Sequence, residues 1–376
     1  MTLPRRVRGL ALPAVEVVDM KREARIQRAG FHLISQRLSH LLRTTVNEGH
    51  QAILLLNRRG YSSFVYCASC QYVSQCRFCD ATMTYHRSAG AQVRGGSLEE
   101  AVHTGQLHCH YCLAVSALPS KCPDCGKKLV LFGMGTQRVE EELAKRFPDV
   151  TYARVDSDTM RRGEDYRAVF DRFERNEVQV LLGTQMIAKG LDYPNVTLVG
   201  VINADIALAM PDFRAGERTF QLITQVAGRA GRGDTPGRVV LQSFMPDDPA
   251  IQGALKDDYC TFAQRELDAR RELRLPPIMR MVRIIVRDEE VERVHERAEK
   301  IAGALRAAMG QEGAEVILKG PMPCVINRIK GYHRAQVLLF GRSAVGLQGV
   351  LAVARRQKAF AESDRVAVDV DPVSLL

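Results

Sequence analysis

Val178-Gln179-Val180-Leu181-Leu182-Gly183-Thr184-Gln185-Met186-Ile187-Ala188-Lys189-Gly190-Leu191-Asp192 changes character at Gly183. The residues before it are almost wholly apolar, which suits a strand buried on both faces of a parallel sheet. After it come a hydroxyl, an amide and a lysine, where a packed sheet needs none. Such residues directly after a buried strand fall at the carboxyl edge of the sheet, where backbone amides and hydroxyls can meet a phosphate. The same alternation recurs outward. Ala52-Ile53-Leu54-Leu55-Leu56 and residues 196–202 read as further buried strands, and 150–155 and 238–244 are strand-like. Helices are expected over 138–147, 165–176 and 215–228. Ahead of the first strand, Ile34, Leu38, Leu41, Leu42 and Val46 share one helical face, which Gly49 ends. The sum is an α/β lobe on a parallel sheet.

That lobe is interrupted. Eight of the ten cysteines fall within 59 residues as four Cys-x-x-Cys pairs: Cys67/Cys70, Cys76/Cys79, Cys109/Cys112 and Cys122/Cys125. A redox motif would be a single pair at a helix start. Four pairs are what two closed four-cysteine zinc sites require, each knuckle presenting two thiolates to one ion. Pro123-Asp124 and Gly126 permit a tight knuckle turn, and the block has too few aliphatic residues for a core of its own. Cys260 and Cys324 stand alone and read as small buried apolar residues.

After Leu275-Pro276-Pro277 the pattern changes again. Strands are expected over 281–286, 316–319, 335–340 and 366–370, with helices over 291–309 and 345–360. The order βαββαβ is the split βαβ, ferredoxin-like pattern. Arg328, Lys330 and Arg334 fall in the expected loop between the two middle strands and are candidate contacts for a polyanion. Asp288-Glu289-Glu290 reads as a solvated helix start favoured by the helix dipole. Residues 1–30 are rich in Pro and Arg, show little periodicity, and read as a linker.

Composition bounds the class. With 46% hydrophobic and 26% charged residues over 376 positions, the chain can bury real cores. No run approaches the ~18 apolar residues of a membrane span, and the basic amino terminus lacks a secretory apolar stretch, so a cytoplasmic address is expected. The charge of +10 sits at the ends. Residues 1–50 hold nine Lys/Arg against four Asp/Glu, residues 273–376 hold seventeen against twelve, and the middle balances. A basic surplus at both ends suits a polyanionic partner.

The most specific stretch is Gln225-Val226-Ala227-Gly228-Arg229-Ala230-Gly231-Arg232-Gly233. Gln225 to Arg232 resembles motif VI of superfamily 2 helicases. Gly183-Thr184-Gln185-Met186 with Lys189-Gly190 resembles motif V, and Leu54-Leu55-Leu56-Asn57-Arg58-Arg59-Gly60-Tyr61 resembles the motif IV strand and loop. Added to these are the nested cysteine pairs, Asp212-Phe213-Arg214 with Glu217-Arg218, and Val368-Asp369-Val370-Asp371-Pro372. From about residue 30 onward the chain is similar to the C-terminal half of the PriA family, the bacterial primosomal replication-restart helicases.

The resemblance implies a RecA-like helicase lobe 2 over 31–62 and 127–272, a zinc insertion over 63–126, and a PriA-type C-terminal domain over 273–376. It implies that the outer pairs, Cys67, Cys70, Cys122 and Cys125, hold one zinc and the inner pairs, Cys76, Cys79, Cys109 and Cys112, the second. Arg229 and Arg232 would face the γ-phosphate of ATP, with Arg232 as the finger and Gln225 beside them. Gly190 and Asp192 would lie at the nucleotide, and Thr184, Gln185 and Lys189 would couple it to DNA. Expected partners are forked or single-stranded/duplex DNA, primosome proteins and single-strand-binding proteins, the chain itself being a monomer. Twenty-nine residues separate Cys79 from Cys109, and the surplus around 88–106 reads as a surface loop. The chain contains no Gly-x-x-x-x-Gly-Lys-[Ser/Thr]. The P-loop and Mg²⁺-binding acid of a motor belong to a first lobe, so ATP hydrolysis is not expected of this chain alone. Two readings follow: an enzyme half, or a catalytically silent zinc-containing platform for DNA and primosome proteins.

Overall fold

The computed structural model describes residues 13–26, 32–56, 64–67, 70, 72, 74, 77, 83–87, 105–108, 114–132, 136–155, 160, 163–184, 187, 193–208, 212–228, 230, 235–312, 315–329, 331–360 and 363–375. The chain divides into two compact units. One comprises Met1–Val73, Pro119–Met210 and Ala215–Phe262; the other comprises Ser74–Leu118, Pro211–Arg214 and Ala263–Leu376.

The first unit is built on a six-stranded parallel sheet. Its strands are β1 (Ala14–Asp19), β2 (Gln51–Leu56), β8 (Tyr152–Val155), β9 (Val180–Gly183), β10 (Val196–Ile202) and β11 (Arg238–Ser243), in the order β1-β11-β10-β2-β9-β8. Every residue of β2, β9 and β10 is buried, as continuous apolar runs between two helical layers should be. On one face α2 (Gln36–Asn47) and α3 (Thr136–Arg146) pack Leu38, Leu42, Val139 and Leu143 against Leu54, Leu182 and Leu198. On the other, α4 (Gly163–Glu174), α5 (Ala215–Ala227) and α6 (Pro249–Leu255) contribute Phe173, Ile223, Val226 and Ile251 against Ile53, Leu181, Val199 and Val239.

The start of α2 is held by a polar bracket. Ser35 caps it by accepting from the Leu38 amide at 3.1 Å. The Glu142 carboxylate accepts from the Leu33 and Ile34 amides at 2.7 and 3.1 Å. Arg146, paired to Glu142 at 2.7 Å, donates to the Ile34 carbonyl and the Ser39 hydroxyl, each at 2.7 Å. Amides ahead of a helix have no partner inside it, and a carboxylate there is favoured by the helix dipole.

The reading of residues 1–30 as a linker is corrected. β1 pairs along its whole length with β11 and forms one edge of the sheet, and α1 (Met20–Ile26) follows it. As an edge strand it is only partly buried and tolerates Glu16 and Asp19, so the apolar run that marks an interior strand is missing.

Between β2 and α3 comes the cysteine block. β3 (Phe64–Tyr66) and β7 (Val130–Phe132) pair antiparallel where it enters and leaves. β4 (Thr84–Arg87), β5 (Gly105–His108) and β6 (Val115–Ala117) form a small antiparallel sheet.

The rest of the second unit carries β12 (Arg280–Asp288), α8 (Val291–Glu312), β13 (Val316–Ile329), β14 (Tyr332–Gly341), α9 (Ala344–Arg356) and β15 (Val366–Val370). The antiparallel order β13-β14-β12-β15 is that of a split βαβ fold. Ile301, Leu305, Leu347 and Leu351 of its helices cover Ile284, Val286, Val337 and Leu339 on one face.

Three expectations change here. The middle strands do not flank a loop: β13 continues through Gly320-Pro321 with shifted register, and two residues separate it from β14. Arg334 therefore stands within a strand, half-buried, its cation disfavoured first by burial and further by Arg283 and Arg287, while Cys324 opposes. Asp288 is not solvated. Its side chain is 2% exposed and paired with Arg365; burial pushes its carboxyl up, but Arg365 and the Glu290 and Glu289 amides together hold it below the usual range. Cys324 is buried as expected, but Cys260, on the first turn of α7 (Tyr259–Glu272), is exposed.

Candidate functional site

The four described cysteines of the block converge. Cys67 follows β3 directly, and its amide donates to the Tyr72 carbonyl at 2.8 Å; the Cys122 amide donates to the Lys127 carbonyl at the same distance. Each Cys-x-x-Cys thus turns back five residues on, and in the second turn Gly126 takes φ +69° while its amide bonds the Cys122 carbonyl. The two knuckles face each other with Cys67 Sγ 3.5 Å from Cys125 Sγ and Cys70 Sγ 3.4 Å from Cys122 Sγ. All four sulfurs lie within 4.8 Å of one another. Thiolates at about 2.3 Å from a tetrahedral zinc stand about 3.8 Å apart, so the donor set fits that ion.

Without a cation Cys70 and Cys125 resist ionisation. The Tyr72 backbone draws the Cys70 thiol down, yet burial and the Cys122, Cys125 and Cys67 thiols push it up to about 12. A metal reverses this by taking the thiolate form. Cys76, Cys79, Cys109 and Cys112 lie outside the described residues.

The second region is the carboxyl edge of the parallel sheet. Register aligns Leu56 with Ile202 and Leu55 with Gly183, so the exits of β10, β2 and β9 stand side by side. Gly183 is required where it sits: a Cβ there would lie 2.3 Å from the Val155 carbonyl oxygen. Thr184 follows, half-buried, and its carbonyl accepts from the Ile187 amide at 3.0 Å. Gln225 is half-buried on α5, next to buried Val226. Ile187, Val226 and Ala230 are each 0% exposed within one hydrophobic cluster, so the two polar motifs share a single core. Gln185, Lys189, Gly190, Asp192, Arg229 and Arg232 lie outside the described residues.

Sequence reading missed one polar group at this edge. Asn203, left-handed at φ 68°, caps a short 3-10 turn by accepting from the Asp205 amide. Asp205 in turn accepts from the Ser243 hydroxyl and the Phe244 amide, each at 2.5 Å. Burial raises its carboxyl above the usual range, although these donors oppose. The signal was present, since Asn203 and Asp205 follow a fully buried strand just as Thr184 does.

Comparison with known families gives three matches. Residues 271–373 match the primosomal protein N C-terminal domain, 113–234 the helicase conserved C-terminal domain, and 76–92 the PriA DNA helicase Cys-rich region. Along nearly its whole length the chain is similar to part of the curated PriA proteins. It is 41% identical over 373 residues to replication restart protein PriA of Bacillus subtilis, covering 99% of this chain and 44% of that protein. The PriA proteins of Synechocystis and Treponema pallidum are each 38% identical, over 100% of this chain and 43% and 53% of theirs. The chain thus spans about half the length of the curated relatives it matches. The PriA Cys-rich match and the clustered thiols together mark a zinc-binding module. Among the described residues no helix is long and apolar enough to cross a membrane.

Proposed function

We propose that this chain is the second motor lobe, zinc module and C-terminal domain of an ATP-dependent 3′-to-5′ DNA helicase acting in replication restart in the cytoplasm. The observation that carries the reading is the shared core under Ile187, Val226 and Ala230. Through it a shift at Thr184, Gln185 and Lys189 is felt at Gln225, Arg229 and Arg232, as a motor coupling DNA to nucleotide requires. Gly190 and Asp192 line the nucleotide side, and Arg232 supplies the finger to ATP and Mg²⁺ held by a first lobe. Such a finger given in trans is worth roughly 10³–10⁵ in rate.

The domain limits are those expected from sequence, 31–62 with 127–272, 63–126, and 273–376, except that β1 adds residues 14–19 to the first of them. Two zinc ions are bound, one by Cys67, Cys70, Cys122 and Cys125, the second by Cys76, Cys79, Cys109 and Cys112. DNA forks or single-stranded/duplex junctions are the substrate, with Arg328, Lys330 and Arg334 as contacts. Primosome and single-strand-binding proteins are the partners of a monomer.

The test is ATP hydrolysis by the chain alone and with a first lobe supplied. Background turnover alone, DNA-stimulated turnover when restored, and its loss in Arg232→Ala with nucleotide binding retained are expected. Absence of turnover in the restored protein, with salt-dependent DNA binding intact, would leave the chain a binding platform instead.

A further inference from the structure

The two described Cys-x-x-Cys turns are built alike and covered unequally. In each, the first cysteine is buried and the second exposed: Cys67 and Cys122 lie inside, Cys70 and Cys125 at the surface. The backbone explains the inequality. Cys67 follows directly on β3 and bonds the Tyr72 carbonyl, and the Cys122 amide bonds the Lys127 carbonyl, so the first cysteine of each turn is anchored while the second rides its outside. All four belong to the first unit.

A thiolate held by zinc is still a nucleophile, and access decides whether it reacts. One edge of this site is therefore open and the other closed. Around the second turn the exposed Lys121, Lys127 and Lys128 outnumber Asp124, the electropositive, accessible setting in which cysteine reactivity concentrates. Each exposed sulfur also touches a buried sulfur of the opposite turn, Cys70 with Cys122 at 3.4 Å and Cys125 with Cys67 at 3.5 Å. A disulfide needs each of these contacts to close by only about 1.4 Å.

We propose that Cys70 and Cys125 form a hydroperoxide-reactive edge of the zinc site, at which oxidation exchanges the metal for a disulfide between the two turns. The Cys70 thiolate attacks a peroxide oxygen; the O–O bond breaks, hydroxide leaves and a sulfenic acid forms. The Cys122 thiolate attacks that sulfur, the S–S bond forms and a second hydroxide leaves. Two thiolates have lost two electrons, one peroxide has gained them, and the ion departs because only two thiolates remain to hold it. Attack at Cys125 with Cys67 as its partner balances in the same way. Positions 70 and 122, 52 residues apart, stay tied covalently where the metal had tied them; a disulfide within one turn would cut that tie. The proposal rests on the assignment of one zinc to these four cysteines made above.

The test uses the full zinc-loaded chain carrying Cys260→Ser, which removes an exposed thiol outside the block. Limiting N-ethylmaleimide should label Cys70 and Cys125 at least about tenfold ahead of Cys67 and Cys122, as covered thiols are inert. Limiting hydrogen peroxide should give Cys70–Cys122 or Cys67–Cys125 disulfides on peptide mapping, with about one zinc released per disulfide to a chromogenic chelator. Equal labelling within a turn, disulfides mainly of Cys67–Cys70 or Cys122–Cys125, or zinc retained with all four thiols reduced overturns the proposal. Zinc content before treatment keeps the two claims apart. Protein holding no more zinc than its Cys122→Ser variant refutes the metal assignment and the proposal with it; a surplus together with any of the contrary results overturns the reactive edge alone.

Discussion

The sulfur atoms of Cys70 and Cys122 lie 3.4 Å apart, closer than two thiolates can sit without a cation between them. A metal at this cluster is therefore expected, and on the two-ion reading proposed above elemental analysis should find two zinc ions per chain and one in Cys122→Ser. The variant should lose protection around β3 and β7 and retain it in β2, β9 and β10, whose core holds none of the thiols. A wild-type preparation free of chelator with no zinc would end the assignment.

Gly183 meets the Val155 carbonyl too closely for any side chain. Both partners are backbone in adjacent buried strands, so neither can yield cheaply. Gly183→Ala should destabilise the first unit by at least about 1–3 kcal/mol, the usual range for overpacking. Denaturant titration reads this directly, and an unchanged midpoint would mean that β8 can shift aside.

Asp205 makes stability depend on pH. Its carboxyl is raised in the fold by burial, so the folded state binds its proton more tightly than the unfolded chain. This group's contribution is full below the unfolded carboxyl value and falls away as pH rises through the folded one. Asp205→Asn lacks it. The stability of wild type relative to Asp205→Asn should therefore decline as pH rises from the acid range toward neutrality, and a difference flat with pH would refute the assignment.

Asp288 works in the opposite direction. Paired with Arg365, its carboxyl is held low, so the pair stabilises above the unfolded carboxyl value and is lost as pH falls through the folded one. Arg365→Ala should weaken the second unit at neutral pH, and the deficit should shrink in acid. A deficit that persists once the carboxyl is protonated would point to lost packing of Arg365 instead.

Legibility followed burial. β2, β9 and β10 are buried on both faces and announce themselves as apolar runs. The edge strand β1, with Glu16 facing Arg37 at 3.0 Å, shows no such run. β13 reads short in sequence because Gly320-Pro321 signals a break, whereas the strand absorbs it by shifting register. The cysteine pairs are legible because ligand spacing is local. Contacts such as Asp212 to Ser374 join distant positions and leave no periodic trace. Asp205 is open to discovery by the rule that finds Thr184.

The antiparallel clip of β3 and β7 has a consequence for how this lobe can be remodelled. Its paired ends hold entry and exit about one strand spacing apart. Whatever is spliced between them meets the host at a socket of fixed width. Closure entropy grows only with the logarithm of loop length, about 0.6 kcal/mol per doubling. The lobe can thus accept a longer, shorter or foreign graft there with little change to its own sheet, which makes the metal module a replaceable attachment on a constant scaffold.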